Sequence, residues 1–331
     1  MATISLIDLG WSDFFSSQVD PDELLVAPPA RICDIHRDRI QALSEDGEMA
    51  LEVPPGMKVN QLAVGDWVLV DLMENRIAKL LERHTILRRR SEASGLKPQL
   101  IAANVDTLMI VSSCNDDFNL ARFERYMALA ISSGTAPVLV LTKADMVEDA
   151  SDYLNRAEPL SSFAPVLTIN ARDPQSLEQL SPWVRQGQTV ALVGSSGVGK
   201  STILNGLTGE EVATQDIRED DSKGRHTTTA RSLRRAISGG WVIDTPGMRA
   251  LAMSENDEGI EVLFADVIEL AGQCKFSDCR HETEPGCAIQ RAIKKGDLDA
   301  DRFQRWVKLR QENEDSAEAL AGAGGRKGRR R

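Results

Sequence analysis

Short apolar runs separated by turn residues fill the stretch from Ala30 to about Arg90. The runs "ARICDI", "MALEV" and "VGDWVLVD" have the length and composition of β-strands, and Gly, Pro and Asp stand between them. Five short strands in about 60 residues predict a small antiparallel barrel, such as an OB-fold, over residues 30–95. A β-rich packing module without a ligand is the alternative, because a fold alone does not define a function.

The two segments that flank this barrel are more polar. Residues 1–29 contain "DPDE" and end at a Pro-Pro pair, which favours a loosely ordered N-terminal arm. The stretch "LRRRSEASG" at 87–95 is typical of a polar linker.

Over residues 96–253 apolar strands alternate with helical stretches. The segment "NLARFERYMALAISSG" predicts an amphipathic helix that ends at Gly134, and "SLEQLSPWV" predicts another helix. The predicted strands are "VDTLMIVSS", "APVLVLT", "FAPVLTIN", "QTVALVG" and "GWVIDT". Such alternation predicts a central α/β domain with a mostly parallel sheet covered on both faces.

Residues 254–315 are predicted to be mainly helical, and 316–331 to form a flexible basic tail that ends in "GRKGRRR". The helical spacing around Gly296 is carried by Ile289, Ile293, Phe303, Trp306 and Leu309. The chain of 331 residues is thus expected to be multidomain.

Acidic residues outnumber basic ones, 50 to 39, so the net charge of −11 repels nucleic acid and any RNA contact needs local basic patches. The first basic residue is Arg31, so the positive n-region of a secretory signal is absent. No apolar run approaches the roughly 20 residues that span a bilayer. We expect a cytoplasmic monomer without membrane contact.

A phosphate-binding loop is predicted by "TVALVGSSGVGKST", a strand followed by G-x-x-x-x-G-K-S and a helix. Its glycines let backbone N–H groups face phosphate oxygens. Lys200 is expected to reach the β- and γ-phosphates, and the Ser201 hydroxyl to bind Mg²⁺. A glycine-rich turn without a ligand is the alternative. The predicted loop comprises Gly194, Ser195, Ser196, Gly197, Val198, Gly199, Lys200, Ser201 and Thr202.

The partner of this loop is predicted in "WVIDTPG", where Asp244 ends a strand and can hold Mg²⁺ through water. Gly247 then offers an N–H group to the γ-phosphate. Between the two motifs lies "DDSKGRHTTTARS", whose threonines suit a loop that orders around Mg²⁺ and the γ-phosphate. Of Thr227, Thr228 and Thr229, the latter two are preferred, and a plain surface turn is the alternative.

Hydrolysis needs an oriented water, and Met248 after Gly247 cannot polarise one. His226 in the threonine-rich loop has a suitable near-neutral pKa for that task. Hydrogen bonding of His226 to RNA or backbone is an equally weighted alternative.

A base-binding loop is predicted in "LTKAD", which covers Thr142, Lys143, Ala144 and Asp145. The Asp145 carboxylate can accept hydrogen bonds from guanine N1–H and N2–H, which adenine does not offer. The Lys143 stem can lie along the base, and Asn170 and Ala171 can bring an N–H group near the guanine oxygen. This loop precedes the phosphate loop, a circularly permuted order that parallel strands allow because their carboxyl ends share one edge.

A metal site is predicted by Cys274, Cys279, His281 and Cys287, in the spacing C-x4-C-x-H-x5-C. Three thiolates and one imidazole complete the tetrahedral set of a structural zinc, with no open position for chemistry. Unrelated buried cysteines are the alternative.

The order "TKAD", "INA", "GSSGVGKST", "GRHTTT", "DTPG", with "VGDWV" before it and "CKFSDCRHETEPGCAI" after it, resembles the RsgA family of circularly permuted bacterial GTPases over roughly 30–312. The resemblance implies an OB-fold, a GTPase domain and a zinc domain. It further implies GTP hydrolysis to GDP, stimulated by the small ribosomal subunit and its rRNA during late subunit maturation, with His226 as the family's loop histidine.

One position departs from the family pattern. The family usually has Asn at Thr142, so a shorter hydroxyl replaces an amide that braces neighbouring loops, and a reduced affinity for guanine is expected. Two other functions stay open from the sequence. One is an RNA-binding adaptor with structural nucleotide; the other is a P-loop ATPase or kinase, against which Asp145 argues.

Overall fold

The computed structural model describes residues 4–36, 39–89, 99–210, 232–244 and 257–325. Packing divides the chain into two compact units: one contains the described residues up to 119 together with 133–244, and the other contains 120–132 and 257–325. Among the helices of these ranges, none has the length and apolar character needed to cross a membrane.

The N-terminal sheet has five strands in the order β3-β2-β1-β4-β5, each paired antiparallel with its neighbour. Residue Glu52, just after β3, pairs in parallel with Arg76 of β5, so the two edges of the sheet meet, as the predicted barrel requires. The interior is apolar and includes Ile32, Val68 and Ile77. The strands are β1 (Pro29–Ile35), β2 (Ile40–Ser44), β3 (Gly47–Leu51), β4 (Trp67–Asp71) and β5 (Arg76–Leu80).

The segment before the barrel contains two short helices, α1 (Asp13–Ser16) and α2 (Pro21–Val26). The prediction of a loosely ordered arm is wrong here, because Leu9 and Phe15 are only 0% and 3% exposed. Phe15 lies against Trp67 of β4, with ring centroids 5.7 Å apart. Polar residues dominate this segment, so its composition did not predict the burial of Leu9 and Phe15.

A two-stranded antiparallel ribbon follows the barrel, formed by β6 (Ile86–Arg89) and β7 (Gln99–Ala103). The linker prediction is therefore wrong at its first residues, since Leu87 in β6 is fully buried. Residues 90–98 lie outside the described ranges.

The central sheet has the strand order β10-β9-β8-β11-β13-β12, parallel except for the edge strand β12, and confirms the predicted α/β domain. Every residue of β8 and β11 is buried, which explains their continuous apolar sequence. All five predicted strands are confirmed, whereas β12 was not predicted. The strands are β8 (Thr107–Ser113), β9 (Ala136–Thr142), β10 (Val166–Thr168), β11 (Thr189–Val193), β12 (Leu233–Arg235) and β13 (Trp241–Ile243).

The remaining helices are α3 (Leu120–Ser132), α4 (Ser151–Ala157), α5 (Pro174–Leu177), α6 (Lys200–Thr208), α7 (Asp257–Leu263), α8 (Ala265–Gly272), α9 (Ala288–Lys295) and α10 (Ala300–Gly325). The predicted helix at 176–184 is only partly α-helical: after α5 the chain tightens into a 3₁₀ turn over Glu178–Trp183. Pro182 lies in this turn and has no N–H group for an α-helical hydrogen bond.

In the second unit, α3 packs with the C-terminal helices. The backbones of α3 and α7 approach closely at Gly259, where a Cβ atom would lie 2.0 Å from the Ala128 carbonyl oxygen. Glu124 of α3 is 1% exposed, and its carboxylate is 2.8 Å from the Arg305 guanidinium of α10. Gly296, with φ 82°, ends α9, which confirms the two predicted helices around it.

Candidate nucleotide site and metal centre

Both predicted nucleotide loops lie at the carboxyl edge of the central sheet. The strands β9, β8, β11 and β13 are parallel neighbours, so the loops that follow them meet at that edge. In this register Ser113 is opposite Thr142, and Val193 is opposite Ile110. The permuted order in the chain therefore does not separate the base loop from the phosphate loop.

The backbone of the phosphate loop depends on glycine. Gly194, Gly197 and Gly199 have φ values of 146°, 77° and 97°. A Cβ atom on Gly194 would lie 2.1 Å from the Val111 carbonyl oxygen, a contact that no side chain tolerates. Val198 is buried to 1% exposure and anchors the loop in the core, while helix α6 begins directly after Gly199. The loop is thus held in one conformation at a helix N-terminus.

The predicted ligand side chains of the loop are near its surface. The Lys200 ammonium donates to the Gly194 carbonyl at 2.9 Å and to the Ser195 carbonyl, so it lies over the loop. Ser201 is exposed in the first turn of α6, with Thr202 partly exposed behind it, and Ser196 is exposed at the tip of the loop. The ammonium can exchange these neutral carbonyls for phosphate oxygens, which bind a cation more strongly.

Asp244 follows β13, next to the phosphate strand β11. Burial raises the pKa of its carboxyl group, while the charges of Arg234 and Lys200 lower it. A partly buried carboxylate is stabilised by a nearby cation, and the oxygens of Asp244 and Ser201 are the ligand type that Mg²⁺ prefers. These residues fit the predicted Mg²⁺ site. Arg234 was not predicted because it lies on the unpredicted edge strand β12.

The base loop turns sharply after β9. Lys143 has a left-handed backbone with φ 59°, and Ala144–Met146 form one 3₁₀ turn. This turn leaves the Asp145 side chain exposed at the edge. The Ala144 N–H group donates to the Ile169 carbonyl at 3.4 Å, which links the base loop to the loop after β10.

The loop after β10 is held by its own side chains. The Asn170 N–H group donates to the Ser176 hydroxyl at 2.9 Å, and the Asn170 side-chain oxygen accepts from the Arg172 N–H group at 3.0 Å. Asp173 caps α5, and Ala171 is 8% exposed. A loop fixed in this way can present a backbone N–H group to a base without much ordering cost.

Thr142 connects the two nucleotide loops. Its hydroxyl oxygen lies 2.5 Å from the Val198 carbonyl oxygen of the phosphate loop and 3.1 Å from the Ser112 carbonyl oxygen. The single hydroxyl proton is shared between these acceptors, and the shorter distance favours Val198. The side chain is 0% exposed, and a Cβ atom on Gly199 would be 3.4 Å from it. The hydroxyl thus braces the loops, the role expected of the amide usual in the family, and the shorter side chain still reaches the phosphate loop.

The C-terminal unit contains the predicted metal centre. The donor atoms of Cys274, Cys279, His281 and Cys287 all lie within 4.8 Å of one another. The sulfurs of Cys274 and Cys287 are 3.9 Å apart, and each is 3.5–3.6 Å from the His281 Nδ1 atom. Two sulfurs bound to a tetrahedral Zn²⁺ at about 2.3 Å lie about 3.8 Å apart. The cluster is therefore compatible with zinc.

Backbone and ring contacts hold this cluster in place. The Ala288 N–H group donates to the Cys274 sulfur at 3.3 Å, and the Gln290 N–H group donates to the Cys287 sulfur at 3.4 Å. Such bonds favour thiolates, the form that binds a metal. The His281 ring packs edge-on against Phe303 of α10, with centroids 5.9 Å apart. The cluster thus joins α9 to α10.

Several predicted residues lie outside the described ranges, and their predictions stay predictions. They are His226, Thr227, Thr228, Thr229, Gly247 and Met248, together with residues 326–331 of the tail. The prediction of a flexible tail is wrong at 316–325, because the backbone there continues helix α10.

A phosphate loop at the end of a central parallel strand, with a base loop from an earlier strand beside it, defines a P-loop nucleotide-binding protein of circularly permuted order. A family model described as RsgA GTPase matches residues 80–254. A protein of Mesorhizobium japonicum named small ribosomal subunit biogenesis GTPase RsgA is 51% identical over 98% of this chain and 94% of its own length. Small ribosomal subunit biogenesis GTPase RsgA 2 of Vibrio vulnificus is 46% identical over 96% of this chain and 90% of its own.

Two solved structures share the fold. YjeQ from Thermotoga maritima superposes with a TM-score of 0.63 at 24% identity, covering 86% of this chain and 97% of that one. YloQ, described as a circularly permuted GTPase, gives a TM-score of 0.59 at 25% identity, covering 87% of this chain and 96% of that one. The chain belongs to the RsgA GTPase family and is an enzyme that hydrolyses GTP.

Proposed function

We propose that this GTPase binds the small ribosomal subunit and assists its late maturation, and that the subunit stimulates its hydrolysis of GTP to GDP and phosphate. The observation that carries the proposal is similarity over nearly the whole chain, 51% over 98%, to a protein named for small ribosomal subunit biogenesis. Both nucleotide loops of this chain also meet at one sheet edge. In this proposal the enzyme is a cytoplasmic monomer that contacts rRNA.

Guanine is recognised at the base loop. The exposed Asp145 carboxylate accepts hydrogen bonds from N1–H and N2–H, and the Lys143 stem covers the ring. A backbone N–H group of the loop at Asn170 and Ala171 faces the guanine oxygen. The hydroxyl of Thr142 keeps this loop in register with the phosphate loop.

The phosphates are held by backbone N–H groups of the glycine-rich loop and by Lys200. Ser201 directly, and Asp244 through water, would hold Mg²⁺, whose positive charge would stabilise the β- and γ-phosphates. Gly247 contributes an N–H group at the γ-phosphate, and Thr228 or Thr229 closes over it. His226 orients the attacking water. Zn²⁺ has a structural role at the cysteine and histidine cluster.

The central experiment measures GTP hydrolysis with and without purified small ribosomal subunits. Stimulated, multiple-turnover hydrolysis of GTP but not ATP is the expected result. Absence of turnover in the presence of subunits, with nucleotide still bound, would favour the RNA-binding adaptor instead. Equal hydrolysis of ATP would remove Asp145 from base recognition.

Two variants separate base recognition from water orientation. Asp145→Asn replaces an acceptor by an amide donor, so it should lose GTP and gain xanthosine triphosphate, whose C2 oxygen accepts from that donor. His226→Ala should keep nucleotide affinity and lose most of the stimulated turnover, whereas His36→Ala, at an exposed barrel position, should change neither. Unchanged stimulated turnover in His226→Ala excludes His226 from the mechanism.

A further inference from the structure

A buried arginine lies where three segments of the first unit meet. Arg31 of β1 is 1% exposed. Its guanidinium donates to the Leu9 carbonyl at 2.6 Å, to the Asn104 carbonyl at 3.0 Å and to the Thr189 hydroxyl at 2.9 Å. Burial lowers the pKa of Arg31 to about 10. A buried cation is costly unless its donors are bonded, so these contacts hold the three segments together.

The acceptors of Arg31 belong to different parts of the unit. Leu9 is in the N-terminal segment, Asn104 leads into the central strand β8, and Thr189 begins β11. Asn104 and Thr189 therefore mark the amino edge of the central sheet, opposite the nucleotide loops. Arg31 itself is part of the barrel, so one side chain joins the barrel, the N-terminal segment and the sheet.

The N-terminal segment also contacts the sheet directly. The Trp241 indole N–H group of β13 donates to the Asp8 carbonyl at 2.7 Å. Gly10 and Gly187 lie backbone to backbone: a Cβ atom on Gly10 would be 2.7 Å from the Gly187 carbonyl oxygen, and both glycines have positive φ. Only glycine allows this approach, so the segment is seated closely against the loop before β11.

On its other side the segment packs against the barrel. The Trp11 ring meets the Trp67 ring of β4 edge to face, with centroids 4.9 Å apart. The barrel also reaches the sheet without the segment, because a Cβ atom on Gly65 would lie 2.1 Å from the Ala103 carbonyl oxygen. The Asn104 side chain donates to the Gly65 carbonyl at 2.9 Å. The junction is continuous from barrel to sheet.

We propose that residues 5–15, clasped by Arg31, form an internal strap that fixes the barrel to the amino edge of the nucleotide-binding sheet, so that barrel and sheet unfold and respond to nucleotide as one cooperative body. A ligand that binds only the native state stabilises every part of such a body equally. Nucleotide bound at the carboxyl edge therefore protects the barrel, although it does not touch it. The proposal rests on nucleotide binding but not on any ribosomal role.

Hydrogen exchange of the full chain tests the coupling. At a GDP concentration of 100 times Kd, the slowest amides of β1, β2 and β4 should exchange about 100-fold more slowly than without GDP. Peptides from the phosphate loop show whether GDP is bound. If they are protected and the barrel is not, the proposal is overturned; if neither is protected, nucleotide binding itself has failed.

Two variants test the strap itself. In Arg31→Met, which removes the hydrogen bonds to both the segment and the sheet, the barrel amides should lose most of the GDP-dependent protection while the phosphate loop keeps its own. In the milder Trp11→Ala, which leaves the direct contact of Gly65 with the sheet in place, they should lose a smaller part of it. Arg39→Met, at an exposed barrel position, is the matched control and should behave as the unaltered chain. Full GDP-dependent protection of the barrel in both strap variants would also overturn the proposal.

Discussion

Replacing Thr142 by Val removes the hydroxyl that joins the base loop to the phosphate loop and changes the shape of the side chain little. The position is 0% exposed, so water cannot take the place of the hydroxyl at the Val198 carbonyl. Leaving a buried acceptor without its donor costs about 1–3 kcal/mol. The Ser112 carbonyl loses its weaker contact at the same time.

Only part of this cost appears in nucleotide affinity, because the brace also stabilises the free enzyme. A loss of about 1.4 kcal/mol on binding corresponds to a tenfold weaker Kd. We therefore expect Thr142→Val to weaken GDP and GTP binding by about tenfold. The brace acts alike on ground state and transition state, so KM should rise while kcat at saturating GTP stays close to that of the unaltered enzyme.

The assay is equilibrium binding of a fluorescent GDP analogue, combined with GTP titration of the hydrolysis rate. Thr142→Ser keeps the hydroxyl and should retain most of the affinity. Thr142→Asn restores the residue usual in the family, and its side-chain N–H group can also donate to the Val198 carbonyl. This variant should therefore bind nucleotide at least as tightly as the unaltered chain. Unaltered affinity in Thr142→Val would refute the brace.

Three further predictions concern stability. Cys279→Ser, or chelation of the metal, should remove zinc from the protein and speed hydrogen exchange in α9 while exchange in β11 is unchanged; full protection of metal-free α9 would contradict a structural role. Gly65→Ala should destabilise the first unit by about 3 kcal/mol in urea unfolding, because Gly65 has a φ of 93° and a Cβ atom there has no space. Gly47→Ala is the control: the position has open space around it, so only the strain of its positive φ should cost stability, about 1 kcal/mol. Glu124→Gln breaks the buried pair with Arg305 and should destabilise the α3–α10 contact by about 3 kcal/mol, seen as faster hydrogen exchange in both helices. Glu314→Gln, in the exposed pair with Arg310, should cost below about 1 kcal/mol. Equal effects of the two variants would show that burial of the Glu124 pair is irrelevant.

The strands of the central sheet were well predicted because each is recognisable from its own apolar sequence. β8 and β11 are buried along their whole length and β9 after its first two residues, so they appear as mainly apolar runs. β9 and β11 also end at loops with recognisable motifs. The edge strand β12 escaped prediction because its sequence, Leu-Arg-Arg, is short and charged, and its strand conformation depends on pairing with β13. Local pattern cannot reveal an element whose stability is supplied by a neighbour.

Contacts across the fold were also beyond the sequence. The burial of Leu9 depends on Arg31 and on the sheet edge, which lie far from it along the chain. The packing of α3 with α7 depends on one close approach at Gly259. The clustering of Cys274, Cys279, His281 and Cys287, in contrast, was predicted correctly, because these residue types lie within one short segment in a spacing typical of a metal site. Short spacing and recognisable loop motifs therefore made contacts predictable, whereas contacts between segments without a motif were not.

The permuted order of the nucleotide loops corresponds to the strand at which the chain enters the central sheet of the first unit. The chain enters the central sheet at β8, which lies between β9 and β11, so the base and phosphate strands flank the entry strand on either side. The brace from Thr142 to Val198 crosses the end of β8, where the Ser112 carbonyl also contacts the hydroxyl. Entry at a central strand requires the preceding barrel to stand at the amino edge, since the carboxyl edge is occupied by the nucleotide loops. Arg31 meets Asn104 and Thr189 at that amino edge, so the barrel contacts the central sheet where the chain enters it.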